Sequence, residues 1–144
     1  VDSNATILNN TIGTDPTGTV ALPNEVGIAF EGNAPEPGAR LVKGNLISGN
    51  YSAGIFIFLA SDVEVVDNKI GTDVTGLLDM PFSPGDPFAR QFRGVQVSDA
   101  GMILISGNLI SGNVQGIFAN FVFDAEISGN PRARSARLRA AERI

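Results

Sequence analysis

Residues 44–50 read GNLISGN, and residues 107–113 read GNLISGN again. A second phrase alternates with it: NTIGTDPTG at 10–18 returns as NKIGTDVTG at 68–76. Self-similarity at a fixed period is the mark of a stacked repeat, and it decides the fold before any single residue is considered.

Working outward, each phrase contains an asparagine with an apolar residue three positions before it and an isoleucine two after. The triplets are Ile7/Asn10/Ile12, Val42/Asn45/Ile47, Val65/Asn68/Ile70 and Ile105/Asn108/Ile110, with Ile127/Asn130 a truncated last copy. A second anchor is a glycine ahead of alternating apolar residues: Gly27, Gly54, Gly94 and Gly116. Gly54 to Asn68, Gly94 to Asn108 and Gly116 to Asn130 are each 14 residues apart.

Aligned on these anchors, Ile28, Ile55, Val95 and Ile117 fall in one column, and Phe30, Ile57, Val97 and Ala119 in the next but one. Val63, Ile103 and Ala125 form another, followed by Val65, Ile105 and Ile127. β-branched residues two apart, flanked by Gly, Asn, Ser and Asp, predict short half-buried strands. A full repeat measures 23 residues from Asn45 to Asn68 and 22 from Asn108 to Asn130. That is too short for a helical crossover between two strands, so like columns must stack strand on strand at roughly 4.7–4.9 Å.

The expected fold class is all-β: a right-handed parallel β-helix, a solenoid of about five coils, with right-handed strand-to-strand connections. Asparagine suits the corners, because it tolerates the left-handed backbone of a sharp bend and can hydrogen-bond along a column. Residues 1–131 are assigned to the β-helix. Residues 132–144 form a basic tail, read as a linker or as a short C-terminal helix capping the open end.

These phrases resemble the right-handed parallel β-helix repeat family, the pectin lyase-like fold. They are most similar to repeat segments of secreted or cell-surface bacterial proteins in which N-x-I-G-T-D-x-T-G alternates with N-L-I-S-G-N. The resemblance spans about residues 5–130 and implies the fold. For activity it implies only a range, from adhesins to polysaccharide lyases, hydrolases and epimerases, and for localisation it implies a secreted or cell-surface bacterial protein.

Composition narrows the chemistry. The chain has no cysteine and no histidine, which removes thiolate chemistry and the commonest general base and transition-metal ligand. Residues 1–131 hold 14 acidic and 5 basic residues, a balance that disfavours nucleic acid and anionic membranes. No apolar run reaches the ~20 residues of a membrane span. No nucleophile–base pair, phosphate loop or metal motif is present, so no catalytic residue and no cofactor is assigned.

The repeats differ in one place. Asn45 to Gly54 and Asn108 to Gly116 span 9 and 8 residues, whereas Asn10 to Gly27 and Asn68 to Gly94 span 17 and 26. Both long loops, 13–26 and 71–93, should leave the same edge, where repeat folds carry binding function. Thr14, Asp15, Thr72 and Asp73 at the loop entrances are the candidate ligand-binding residues, either as a polar surface with oxygen donors for Ca²⁺ or as side chains that close Asx and ST turns. Phe56 and Phe118, in an outward column with Ala29 and Gln96, are candidates for stacking on sugar rings or on a partner.

The expectation is therefore a non-catalytic structural or adhesive module that binds carbohydrate or a surface protein through loops 13–26 and 71–93. Its alternative is a polysaccharide-active enzyme of the same fold, and end-to-end self-association is a further expectation for open coil ends. Glu64 and Glu126 share an outward column with Leu104 between them, about 10 Å apart. That spacing lies at or beyond the upper end for an inverting carboxylate pair.

Overall fold

The computed structural model describes residues 4–32, 38–86 and 88–130. Among them the strands, in chain order, are β1 (Thr6–Leu8), β2 (Thr11–Ile12), β3 (Val26–Glu31), β4 (Arg40–Lys43), β5 (Leu46–Ile47), β6 (Ala53–Phe58), β7 (Ser61–Val66), β8 (Lys69–Ile70), β9 (Arg93–Ser106), β10 (Leu109–Ile110) and β11 (Gln115–Ser128). There is no helix among the described residues. The capping helix expected in 132–144 lies outside them.

Every strand pair is parallel. The large sheet runs β1-β4-β7-β9-β6-β3, with β11 on β9, and a small one runs β10-β8-β5-β2. β9 is long enough to serve two neighbours: its first half pairs with β6 and its second with β7. The large sheet is therefore two parallel ribbons joined by strands that turn a corner, and the whole is a curled sheet compatible with a β-helix-like solenoid.

The registers place the repeated residues side by side. Ile12 pairs with Ile47, Ile47 with Ile70 and Ile70 with Ile110. Ile28, Ile55, Val95 and Ile117 form a second row, and Val63, Ile103 and Ala125 belong to a third. These side chains make one continuous core, in which Ile47, Ile55, Ile57, Val63, Val65, Ile70, Val95, Ile105 and Ile110 are fully buried. Burying each contributes roughly 1.5–3 kcal/mol. Alternation therefore specifies the register: a slip of one residue would turn every column to water.

One inward position breaks the apolar pattern. Arg40 pairs with Val63 yet is only 5% exposed. Its Nη1 donates to the carbonyls of Ser61 (2.7 Å) and Gly38 (3.2 Å), and its Nε has no partner.

The corner before each small-sheet strand is built around a column of asparagines. Asn10 N–H and Nδ2 both donate to Asn45 Oδ1, at 2.8 and 3.2 Å. Asn45 treats Asn68 Oδ1 in the same way, Asn68 does so with Asn108, and Asn108 with Asn130, at 2.9–3.2 Å. Each Nδ2 within the stack also reaches a main-chain carbonyl of the preceding repeat, for example Asn68 to Val42 and Asn108 to Val65.

The left-handed backbone expected of these asparagines belongs instead to the residue before each one. Asn9, Gly44, Asp67, Gly107 and Gly129 have φ between 54° and 68°. The asparagine side chain is occupied by the ladder, and its neighbour absorbs the bend. At Gly44 an added Cβ would collide with the Asn9 carboxamide oxygen, so close packing as well as φ calls for glycine there.

The bend between the two ribbons uses a pair of left-handed residues three apart. These are Leu59 and Asp62, then Asp99 and Met102, then Phe121 and Asp124, all with φ of 49–55°. Between them Ala60, Ala100 and Val122 turn inward and are buried. Leucine, methionine and phenylalanine are strained in this region by roughly 1–2 kcal/mol each. No helix among the described residues is long and apolar enough to cross a membrane.

Candidate functional site

Both long loops leave the same edge, and each begins as a small hairpin. Thr14 bridges Ala21 in the first and Thr72 bridges Asp79 in the second, antiparallel in both cases. Asp15 and Asp73 organise them. The Asp15 carboxylate accepts from Thr17 Oγ1 at 2.6 Å and from the N–H groups of Thr19 and Val20 at 3.0 Å each. The Thr17 hydroxyl, then the two main-chain donors, lower its pKa from 3.8 to about 2. Asp73 is buried, which by itself raises its pKa. Hydrogen bonds from Thr75 Oγ1 (2.6 Å) and from the N–H groups of Leu78 and Leu77 (3.3 Å each) outweigh that and hold it below the usual value.

The two threonines at the loop entrances are interior. Thr14 and Thr72 are both buried, and each hydroxyl donates to the main-chain carbonyl of the following aspartate at 3.1 Å. Thr14, Asp15, Thr72 and Asp73 are thus employed in closing turns. Among the described residues no three carboxylates converge in a group able to hold a metal ion.

The hairpins meet directly. Although a short GNLIS turn separates them in the stack, Val74 N–H donates to the Gly18 carbonyl at 2.9 Å. Two glycines leave room for this approach: a Cβ at Gly18 would lie 2.8 Å from Val74 Cβ, and one at Gly49 would lie 2.8 Å from Ala21 Cβ. Between the loops lies a cleft of about 350 Å³ lined by Val20, Ala21, Leu78, Met80, Pro81 and Phe82, with Asp73 and Asp79 at its side. Arg90 pairs with Asp79 at 3.3 Å and braces the longer loop; both partners are well exposed, so the pair adds little stability.

The outer rim of this edge is apolar. Val20, Leu22, Leu77, Leu78 and Phe88 are 54–87% exposed. Tyr51, Phe92 and Val114 follow one another along the adjoining corner, with Tyr51 edge-on to Phe82 at 4.9 Å between centroids.

A second amide column holds that corner, and it was not foreseen. Asn24 N–H and Nδ2 donate to Asn50 Oδ1, Asn50 N–H and Nδ2 to Gln91 Oε1, and Gln91 Nε2 to Asn113 Oδ1 at 2.8 Å. Gln91 is wholly buried. The signal was present: Asn24, Asn50, Gln91 and Asn113 each precede a glycine anchor by three or four residues. A glutamine among asparagines concealed the column.

Phe56 and Phe118 occupy the outward column expected for them, in the order Ala29, Phe56, Gln96, Phe118. They are half-buried and Gln96 separates them. Phe56 stacks on Phe58, with centroids 6.0 Å apart and planes 11° from parallel. Phe118 lies under the Arg93 guanidinium, 4.4 Å from the ring centroid, and Arg93 is held by Gln96 Oε1 and Gln115 Oε1 at 2.9 and 3.0 Å. Phe121 and Phe123 do not turn inward at the bend; both remain over 40% exposed.

On the neighbouring ribbon, Asp62, Glu64, Asp124 and Glu126 line an open groove of about 390 Å³ floored by Leu104 and Ile103. Glu64 and Glu126 flank Leu104 in register. Comparison with known proteins finds no matching family model, no similar curated protein and no similar solved structure.

Proposed function

We propose that this chain is a right-handed parallel β-helix of about five coils, and that it serves as a non-catalytic structural or adhesive module. The in-register columns support the helix, and the strong preference of parallel connections for one hand supports its chirality. The resemblance of the repeats to secreted bacterial surface proteins supports an extracellular setting. The observation that carries the functional reading is the loop edge: two hairpins in contact, a cleft between them, and an exposed apolar rim. The hairpin carboxylates are engaged in turn closure, so this edge recognises its ligand by shape and apolar contact rather than through Ca²⁺. The ligand is a carbohydrate or a surface protein, with Phe56 and Phe58 offering a second, stacked aromatic surface.

A glycan array and a calorimetric calcium titration test this reading. Binding without turnover, lost when Leu77 and Leu78 become serine, and no heat with calcium are the expected results. The acidic groove favours one second reading, a polysaccharide-active enzyme using Glu64 and Glu126. Release of unsaturated products or reducing ends from polysaccharides, abolished by Glu64→Gln or Glu126→Gln, would establish that reading and overturn the first.

A further inference from the structure

The cleft between the two hairpins continues into a second cavity. The first, about 350 Å³, is walled by Val20, Ala21, Leu78, Met80 and Phe82. The second, about 260 Å³, lies within the longer loop and is lined by Asp79, Pro81, Gly85, Asp86 and Arg90. Asp79 and Pro81 line both, so the two cavities adjoin. One is apolar and the other charged.

The polar groups beside the first cavity are already engaged. Asp73 accepts from Thr75 Oγ1 and from two N–H groups of its own hairpin. Asp79 pairs with Arg90, and the Thr19 hydroxyl bonds that of Thr17 at 2.6 Å. A sugar buried here would leave most of its hydroxyls without partners, and each would cost free energy. An aliphatic side chain has no such groups to strand. In the second cavity the charges do not balance. Arg90 answers Asp79, whereas the Asp86 carboxylate accepts the Phe88 N–H at 2.8 Å and pairs with no cation among the described residues.

Building on the adhesive reading of this edge, we infer that its ligand is a protein, held as an extended segment with an apolar residue and a lysine or arginine two positions apart. In an extended chain such side chains face the same way, about 6.6 Å apart, a stride that carries them into neighbouring cavities. The apolar residue fills the first cavity and supplies most of the affinity. The basic residue reaches Asp86, beside the Asp79–Arg90 pair, and sets the specificity. The receiving surface is held ready by the turns that Asp15 and Asp73 close and by the Val74–Gly18 bond, so binding has little loop ordering to offset.

An amide NMR titration of the full chain with two capped pentapeptides, Gly-Leu-Ser-Lys-Gly and the reversed Gly-Lys-Ser-Leu-Gly, tests this. Saturable shifts at Val20, Leu78, Asp79 and Asp86 are expected from at least one of the two orders. Alanine in place of the peptide leucine should weaken binding about tenfold, and glutamate in place of its lysine about fivefold at low salt. Asp86→Lys, at an exposed position, should reverse the second preference and make the glutamate peptide the better ligand. If that variant fails to fold, the peptide substitutions carry the test on the unaltered chain. No shift at the cleft from either peptide, or equal binding of the lysine and glutamate forms, overturns the inference. A glycan bound at this edge where no peptide binds overturns it while leaving the adhesive reading intact, and if neither binds, both fall.

Discussion

The two amide corners of this protein perform the same task with different regularity. At the first corner, five asparagines from Asn10 to Asn130 each fill one slot, and the chain enters every slot along the same path. At the second, the path varies: short turns lead to Asn50 and Asn113, whereas long loops lead to Asn24 and Gln91. The slot itself is unchanged. What must be conserved is an amide oxygen and an amide N–H at one height in the stack, and the side chain that delivers them can lengthen by a methylene when the backbone arrives from elsewhere.

The largest expected effect comes from the middle of the uniform corner. Asn68→Ala strips a buried acceptor from two Asn45 donors and a donor from the Val42 carbonyl. It should cost about 3 kcal/mol, since each unsatisfied buried group costs about 1–3 kcal/mol. Urea denaturation measures this, with Asn10→Ala, exposed at the stack end, as the control expected to lose well under half as much.

Gln91→Asn tests whether the second corner needs the extra length. The shorter side chain cannot span both Asn50 and Asn113, and a loss of about 1–2 kcal/mol is expected. If stability were unchanged, the two corners would be interchangeable and the comparison would fail.

A third bend sharpens the contrast. Where the asparagine corner places Asn, Gly or Asp in the left-handed position, the bend between ribbons places Leu59, Asp99 and Phe121 there. Phe121 is 46% exposed, so little packing offsets its strain. Phe121→Asn should raise stability by about 1 kcal/mol.

The smallest effect concerns the loops. The Asp15 carboxylate has a pKa lowered from 3.8 to about 2, so its support for the first hairpin is complete above the unfolded value and fades as pH falls through the folded one. An NMR titration should find Asp15 still charged at pH 3. Thr17→Val removes the largest contribution and should move the titration back toward 3.8.

Much of this was legible in the chain. Inward columns, the first asparagine corner and the shared edge of the long loops all follow from residues that recur at fixed spacing. What recurs at variable spacing was not legible, and Gln91 is the example. Arg40 was hidden for another reason: an arginine in the column of Val63 and Ile103 looks like a surface residue, and only main-chain carbonyls from Gly38 and Ser61 make its burial tolerable. The direct contact between the hairpins depended on the close approach of Val74 to Gly18 above Leu46, a packing matter that spacing does not encode. The loop-entrance threonines and aspartates were visible as a group, but turn closure and ligand binding draw on the same residue types.

Methyl NOEs within the isoleucine row give the most direct test of the stacked columns. Ile47 should show a strong NOE to Ile70, and Ile70 to Ile110, because neighbouring strands lie about 4.8 Å apart. Their absence in a folded sample, or NOEs to residues one position out of register, would contradict the account.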